Sequence, residues 1–307
     1  MTQTDPRPRT DHGKHEDGRA GVGSDPASDP RVAEQEVEEA FRRSVDEGRR
    51  RLSRKPVALI ATGLVGGIDV GTGVLALLFV EHETQSVLLA GLAFSIGFIA
   101  LTLAKSELFT EDFLVPVSTV IARQARFRML LRLWAATLVG NLVAGWIFTY
   151  LIMQGYPDLT ETALKAGGHY IELGLGFRAF ALALLGGAVI TLMTWMQHNT
   201  ESKGVKLVPA VTAGFLLAGA QLNHAIVNSL LIFAALHTGR APFGYADWAA
   251  TAGLAAVGNL VGGLALVTLL RLFQIPHAVK DEAEHPAPGV PVADKREEPA
   301  EGQLDEG

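Results

Sequence analysis

The sequence contains no cysteine, which excludes disulfide bonds, thiolate nucleophiles and metal sites built on cysteine. The first 30 residues lack an apolar run and are rich in Asp, Arg, Pro and Gly, so we expect no cleavable signal peptide there. The first apolar segment is therefore expected to act as the membrane signal.

Charge is scarce in the middle of the chain, although the averages hide this. A net charge of −6, 49% hydrophobic residues and 19% charged residues are values typical of soluble proteins. Most of the charge lies in residues 1–55 and 277–307, whereas residues 57–274 hold nearly all the long apolar runs. This central block has room for six membrane spans of about 20 residues each. The sequence thus predicts an all-α polytopic membrane protein.

The chain divides by composition into four segments. Residues 1–30 are predicted to be a disordered tail, and residues 275–307 a disordered acidic tail, because both have few apolar residues. Residues 31–55 have helical apolar spacing with acids first and arginines last, which predicts an amphipathic helix on the cytoplasmic surface. A fully solvated helix is the alternative. Residues 56–274 form the predicted transmembrane transport domain, with spans at about 57–80, 87–122, 133–153, 177–196, 207–236 and 249–272.

The distribution of Lys and Arg predicts the orientation in the membrane. One set of loops and ends is basic: Arg49, Arg50, Arg51, Arg54, Lys55, Arg123, Arg126, Arg128, Arg132, Lys203, Lys206, Arg271 and Lys280. The opposite side carries only Lys165, Arg178 and Arg240. Since basic loops stay in the cytoplasm, both termini are predicted to be cytoplasmic in a bacterial inner membrane.

A short internal repeat relates the two halves of the domain. The third span contains Val-Gly-Asn-Leu-Val at 139–143, and the sixth contains the same five residues at 257–261. Two halves of three spans each must enter the membrane in opposite directions, which predicts an inverted repeat. The middle span of each half is interrupted by polar residues, at 105–112 and 221–229. Broken spans at matching places predict a substrate site near the midplane.

Several motifs together resemble the formate/nitrite transporter family over residues 55–274. They are Phe-Ser-Ile-Gly-Phe at 94–98, Glu-Leu-Phe-Thr at 107–110, both Gly-Asn-Leu-Val motifs, and Asn-His-Ala-Ile-Val-Asn at 223–228. The resemblance implies an aquaporin-like six-helix protomer, a homopentamer in the lipid bilayer, and one pore per protomer for formate, nitrite or similar monovalent anions. It implies no catalytic residue, metal, cofactor or nucleic-acid partner.

The resemblance also implies roles for individual residues. His224 matches the central pore histidine, Thr110 lies in the region that matches its hydrogen-bonding partner, and Asn228 matches the asparagine that follows the histidine. The outer constriction matches Phe94 and Leu217, and the inner one matches Phe98, Leu108 and Ile190. His224 is the one histidine deep within a predicted span, and imidazole is the side chain that titrates nearest neutral pH. It is therefore a candidate to share a proton with a weak-acid substrate, the alternative being a buried structural histidine.

The chain differs from the family pattern in the charge or the size of several side chains. Lys105 stands where a small residue is usual, Asp69 lies in the middle of the first span, and Gly187 replaces a common asparagine. Ionisable residues are costly inside a bilayer and usually pair, so Asp69, Glu107 and Arg178 are predicted to form a structural ionic network. Lys105 either joins that network or attracts anions electrostatically.

The predicted function is transport of small monovalent anions, either passively or together with a proton. Three other functions are alternatives to it. An aquaporin-like channel for neutral solutes is the main alternative, but neither break contains the Asn-Pro-Ala signature of that class. An intramembrane enzyme would need a nucleophile or a set of metal ligands within the spans, and the predicted spans contain neither. A scaffold protein leaves the intramembrane charges at Asp69, Lys105 and His224 unexplained.

Overall fold

The computed structural model describes residues 30–286 and residue 288, and every regular element in this part of the chain is a helix. The predicted tail at residues 1–29 lies outside the described residues, as does most of the predicted tail at 287–307. The α-helices are α1 (Pro30–Leu52), α2 (Pro56–Thr84), α3 (Val87–Ala104), α4 (Val115–Ile121), α5 (Phe127–Gly155), α6 (Thr160–Glu172), α7 (Phe177–His198), α8 (Lys203–Gly219), α9 (Ala225–His237), α10 (Tyr245–Gly263), α11 (Leu269–Gln274) and α12 (Pro276–Glu284).

Five helical segments in the described part of the chain are long and apolar enough to cross a membrane. Four are α2, α3, α5 and α7, and the fifth is Tyr245–Gln274, in which a π-helical turn at Leu264–Thr268 joins α10 to α11. The remaining predicted span is divided into α8 and α9, of 17 and 13 residues. A single span needs about 20 residues, so these two helices cross only together.

Both predicted breaks are observed, with adjusted limits. In the second span, α3 ends at Lys105 in the left-handed conformation (φ 56°), and a 3₁₀ turn at Phe109–Phe113 precedes α4. In the fifth span, the break covers residues 220–224, and α9 already begins at Ala225. Residues 225–229 of the predicted break are therefore helical, because His224 caps the helix there.

Two helices lie where the sequence predicted none. Helix α6 follows the third span, within a segment expected to be a loop. Helix α12 lies within residues 275–307, which were predicted to be disordered, so that prediction is wrong for Pro276–Glu284. Ile275 and Ala278 pack against Phe41 and Val45 of α1. The segment has too few apolar residues to fold alone, but α1 supplies the rest of a shared core.

Helix α1 occupies most of the segment predicted to be an amphipathic helix at 31–55, and its partner is protein. Its apolar face packs mainly on α4 and also touches α12, and Ala40, Phe41, Val45 and Leu52 are fully buried. The helix therefore covers one end of the membrane domain.

Close helix contacts depend on residues without a side chain. Helices α2 and α5 cross where a Cβ atom on Gly140 would lie 2.9 Å from the backbone of Gly63. Helices α7 and α10 cross where a Cβ atom on Gly187 would overlap the backbone of Asn259. Such small residues let helices approach closely in a bilayer. At position 187 this contact leaves no room for the asparagine common in the family.

Candidate functional site

The two breaks meet at one hydrogen bond in the centre of the domain. Thr110 lies in the 3₁₀ turn of the second span, and His224 lies at the N-terminus of α9. The Thr110 Oγ1 and His224 Nε2 atoms are 2.7 Å apart, and both residues are fully buried. The structure thus brings together two predicted pore residues that are 114 positions apart in the sequence.

The second ring nitrogen of His224 determines which way this hydrogen bond runs. Its Nδ1 atom accepts a hydrogen bond from the backbone N–H of Val227 at 3.2 Å, which caps helix α9. A neutral imidazole that accepts at Nδ1 carries its proton on Nε2. His224 therefore donates to the Thr110 hydroxyl oxygen, and the hydroxyl hydrogen of Thr110 is left to donate to an acceptor such as an anion.

Asn141 of α5 holds the first break in place. Its Nδ2 atom donates to the carbonyl oxygens of Gly63 at 2.7 Å and Glu107 at 2.9 Å. Its Oδ1 atom accepts from the backbone N–H of Phe109 at 2.9 Å. The fully buried amide thus joins α2 to the two residues that lead into Thr110.

Asn259 of α10 makes the same three contacts at the second break. Its Nδ2 atom donates to the carbonyl oxygens of Ala183 at 2.8 Å and Asn223 at 2.9 Å, and its Oδ1 atom accepts from Ala225 N at 2.9 Å. The two asparagines are those of the repeated Gly-Asn-Leu-Val motif. The repeat seen in the sequence therefore corresponds to a repeated hydrogen-bond arrangement that positions Thr110 in one half and His224 in the other.

Asn228 lies one helical turn after His224 and has one unpaired acceptor. Its Nδ2 atom donates to Asn223 Oδ1 at 2.7 Å. Its Oδ1 atom is buried and has no hydrogen-bond partner among the described residues. Buried polar atoms are normally paired, so this oxygen is available to a donor from a bound molecule or water.

The predicted constriction residues are all part of the apolar core around this pair. Each is at most 1% exposed, and all five belong to one hydrophobic cluster: Phe94, Phe98, Leu108, Ile190 and Leu217. The rings of Phe94 and Phe98 pack edge to face at 5.2 Å. Thr110 and His224 therefore meet beside a cluster of apolar side chains.

Arg51 of α1 and Arg54, which lies just after that helix, bind acids in the first break. Arg54 Nη1 lies 2.5 Å from Glu107 Oε1, and the Thr62 hydroxyl donates to the other carboxylate oxygen at 3.1 Å. Arg51 lies 3.6 Å from Asp112 and 3.7 Å from Glu107. The ion network around Glu107 is thus built with Arg51 of α1 and the following Arg54, a role that the charge pattern of the sequence alone does not predict.

Helix α1 remains charged at these positions over a wide pH range. Burial alone would lower the pKa of Arg51, but the neighbouring carboxylates of Glu107, Asp112 and Glu47 raise it. Burial also tends to raise the pKa of Glu47, yet Arg51 and Arg50 lower it to about 2. Arg51 and Glu47 of α1 therefore stay charged at physiological pH.

A cavity of about 620 Å³ lies between α1, the first break and the ends of α7 and α8. We call it the vestibule. Its charged lining has seven basic and four acidic residues: Arg43, Arg50, Arg51, Arg54, Lys105, Lys203, Lys206, Asp46, Glu47, Glu111 and Glu201. The excess of positive charge attracts anions to this end of the domain.

The other ionisable residues singled out in the sequence are not joined in one network. Asp69 accepts a hydrogen bond from the Ser106 hydroxyl, next to the break. Lys105 lines the vestibule, is exposed, and makes no ion pair within the described part of the chain. Arg178 is exposed at the start of α7 and likewise has no ion-pair partner within residues 30–286. The expected pairing of Asp69 and Arg178 is therefore not observed.

Two half-spans that meet at a buried polar pair within an all-helical, membrane-spanning domain define a polytopic transport protein. A sequence profile described as "Formate/nitrite transporter" matches residues 38–273. The chain belongs to the formate/nitrite transporter family. This confirms the resemblance carried by the motifs, and a family of transporters confirms the prediction that the chain is not an enzyme.

Individual relatives agree with the family assignment. The chain is similar to "Inner membrane protein YfdC" of Escherichia coli (strain K12), with 27% identity over 239 residues covering 75% of this chain and 76% of that one. A solved structure of an "FNT family ion channel" superposes with a TM-score of 0.67 at 18% identity, covering 76% and 98%. A "Pentameric formate channel with formate bound" superposes with a TM-score of 0.59 at 21% identity, covering 71% and 96%. These structures confirm the polytopic helical fold.

Proposed function

We propose that this chain conducts small monovalent anions, such as formate or nitrite, through a pore in each protomer of a homopentamer. The observation that carries the proposal is the buried contact between Thr110 and His224. It presents one hydroxyl hydrogen to an anion inside an otherwise apolar core. Family membership and the likeness to a pentameric formate channel support both the substrate class and the assembly.

The orientation follows from the position of the vestibule. Helix α1 and the basic segments before α5 and α8 lie on one side, and basic loops remain in the cytoplasm. We therefore place the vestibule and both termini in the cytoplasm, in a multi-pass protein of the inner membrane. An anion leaving the cell would pass from the vestibule to the first break and then to Thr110 and His224.

The substrate class is tested by flux into proteoliposomes containing the purified protein. Formate, nitrite, hydrosulfide, lactate and acetate are compared in parallel, together with glycerol as a neutral solute. We expect formate or nitrite to enter far faster than in protein-free liposomes and glycerol to enter at the background rate. Rapid glycerol flux without anion flux would instead indicate an aquaporin-like channel.

Lys105 is expected to increase anion capture in the vestibule. It has no counter-ion in the described residues, so its charge acts on the cavity rather than on a fixed carboxylate. Lys105→Gln should lower flux a few-fold at about 0.01 M salt, where the Debye length is about 30 Å, and much less at about 1 M, where it is about 3 Å.

The control for Lys105 is protein stability. Lys105→Gln should leave the thermal unfolding midpoint unchanged, because no ion pair is lost. A lower midpoint together with a salt-independent loss of flux would mean that Lys105 is a structural partner of an acid such as Asp69.

A further inference from the structure

Three carboxylic acids lie in the break of the second span, and two of them have partners. Glu107 is bound by Arg54 and by the Thr62 hydroxyl. Asp112 accepts a hydrogen bond from Thr137 at 3.2 Å and lies 3.6 Å from Arg51. Each of these two acids thus has an arginine within 4.0 Å, although the Asp112 Oδ1 atom that faces Arg51 makes no hydrogen bond to a described residue.

Glu111, the third acid, differs from the other two. It is 6% exposed and lines the vestibule, and its side chain makes no hydrogen bond or ion pair with any described residue. It directly follows Thr110 in the 3₁₀ turn, so it lies between the vestibule and the central hydrogen bond. A buried carboxyl group without a counter-charge is costly in its ionised form.

The position of Glu111 conflicts with anion passage unless it carries a proton. An ionised carboxylate beside Thr110 would repel an anion, and the repulsion is strong in a poorly solvated site. A protonated carboxyl group has no charge and donates a hydrogen bond. The same residue therefore obstructs an anion or assists it, depending on one proton.

The charged and titratable groups that surround Glu111 come from several parts of the chain. They are Glu47 and Arg51 of α1, Arg54 just after it, Asp69 of α2, Lys105, Glu107 and Asp112 of the break, His198 of α7 and Lys206 of α8. Arg51 is the nearest buried cation, but it is shared among Glu47, Glu107 and Asp112. No described nitrogen of Lys, Arg or His lies within 4.0 Å of the Glu111 carboxyl oxygens. Lys105 and Lys206 act on it only across the cavity.

His224 is less suited to take up a proton. Its Nε2 atom already carries a proton that is donated to Thr110, and its Nδ1 atom accepts the Val227 N–H. A second ring proton would have to displace that N–H and remove the cap of α9. Glu111 has no such bond to lose.

We infer that Glu111 transfers a proton to weak-acid anions at the vestibule end of the pore, an inference that rests on the proposed function. The O–H bond of the Glu111 carboxyl breaks as an O–H bond forms on the anion, so Glu111 becomes a carboxylate and the substrate a neutral acid. Water in the vestibule then returns a proton to Glu111. The neutral acid crosses the apolar core at a far lower cost than the anion.

The test compares Glu111→Gln with wild type in proteoliposomes, measuring formate uptake and internal pH together from about pH 5 to pH 8. Wild-type uptake should rise as pH falls and should carry about one proton per formate. Glu111→Gln should lower uptake at acid pH by about tenfold or more, and its uptake should not respond to pH. Unchanged pH dependence in Glu111→Gln would overturn the inference.

The matched control is Glu201→Gln. Glu201 also lines the vestibule without an ion pair among the described residues, but it is exposed and lies beyond the break. Removing its charge should leave the pH profile intact. Equal changes in both variants would mean that only the total charge of the vestibule matters, which would also overturn the inference.

A second measurement uses the wild-type protein and does not depend on the folding of a variant. Dicyclohexylcarbodiimide reacts with protonated carboxyl groups, and mass mapping identifies the modified residue. We expect modification of Glu111 with loss of formate flux, and protection of Glu107, which Arg54 binds. Modification that spares Glu111 would contradict the inference. If wild type transported no anion at all, the proposed function would fail instead, and Glu111 labelling would be unaffected.

Discussion

We expect Asn259→Ala and Asn141→Ala each to abolish transport by destabilising the broken spans. Each amide makes three buried hydrogen bonds, which connect a carbonyl of another span (Gly63 of α2 or Ala183 of α7) to two backbone groups of a break. A buried polar group left unpaired costs about 1–3 kcal/mol, and each substitution leaves up to three. Because the net free energy of unfolding of a protein is commonly about 5–15 kcal/mol, this loss is a large fraction of the total stability.

The measurement is the thermal unfolding midpoint of the protein in detergent, together with formate flux after reconstitution. Asn199→Ala is the matched control, because Asn199 is exposed and donates only to Trp195 O at the end of its own helix. It should behave as wild type. A wild-type midpoint in Asn259→Ala would show that the amide is not needed to hold the second break.

A conservative pair separates the lost hydrogen bonds from lost volume. Asn259→Asp keeps the size of the side chain and one acceptor for Ala225 N, but it removes both N–H donors. We expect it to be nearly as unstable as Asn259→Ala, because the carbonyl oxygens of Ala183 and Asn223 remain unpaired and a carboxylate is buried. Recovery of stability in the aspartate variant would assign the effect to packing.

The second large effect is expected for Thr110→Val, which replaces a hydroxyl with a methyl group of similar size. The hydroxyl hydrogen is the donor offered to the anion, and a hydrogen bond to a charged group is worth about 1.5–3 kcal/mol. Flux should therefore fall about tenfold or more, since about 1.4 kcal/mol corresponds to a factor of ten. Folding should be retained, which a wild-type unfolding midpoint would verify.

His224→Asn is the companion variant, because asparagine also caps helices. Its side-chain oxygen can accept the Val227 N–H, so α9 should remain intact. The shorter side chain cannot reach the Thr110 hydroxyl, and flux should fall because that hydroxyl is no longer oriented. The pH dependence should persist if Glu111 is the proton carrier. If flux through His224→Asn did not change with pH while Glu111→Gln kept the wild-type pH profile, His224 rather than Glu111 would be the proton carrier.

Much of the architecture was predictable because membrane insertion depends on local composition. Apolar runs, basic loops and the two polar interruptions predicted the helices and the breaks, and the limits shifted by only a few residues. The C-terminal helix was missed because Ile275 and Ala278 become buried only against Phe41 and Val45 of α1. That contact joins segments more than 200 residues apart, and periodicity in either one does not reveal it.

The candidate site was predictable in part. The motifs indicated Thr110 and His224, and the repeated Gly-Asn-Leu-Val predicted related halves without showing what the asparagines do. The signal for Asn141 and Asn259 was present, since a polar amide repeated within an apolar span needs buried partners. Which partners it has depends on the backbone of another span.

The sequence by itself determined the class of protein, because hydrophobicity and charge decide which segments enter a membrane and in which direction. Only the tertiary structure decided which charges are paired. Glu107, Glu111 and Asp112 are near neighbours in one break, yet Arg51 of α1 and the following Arg54 lie within ion-pair distance of the first and third but not of the second. The physical reason is that ion pairing depends on separations of a few ångströms between side chains, and the fold sets those separations.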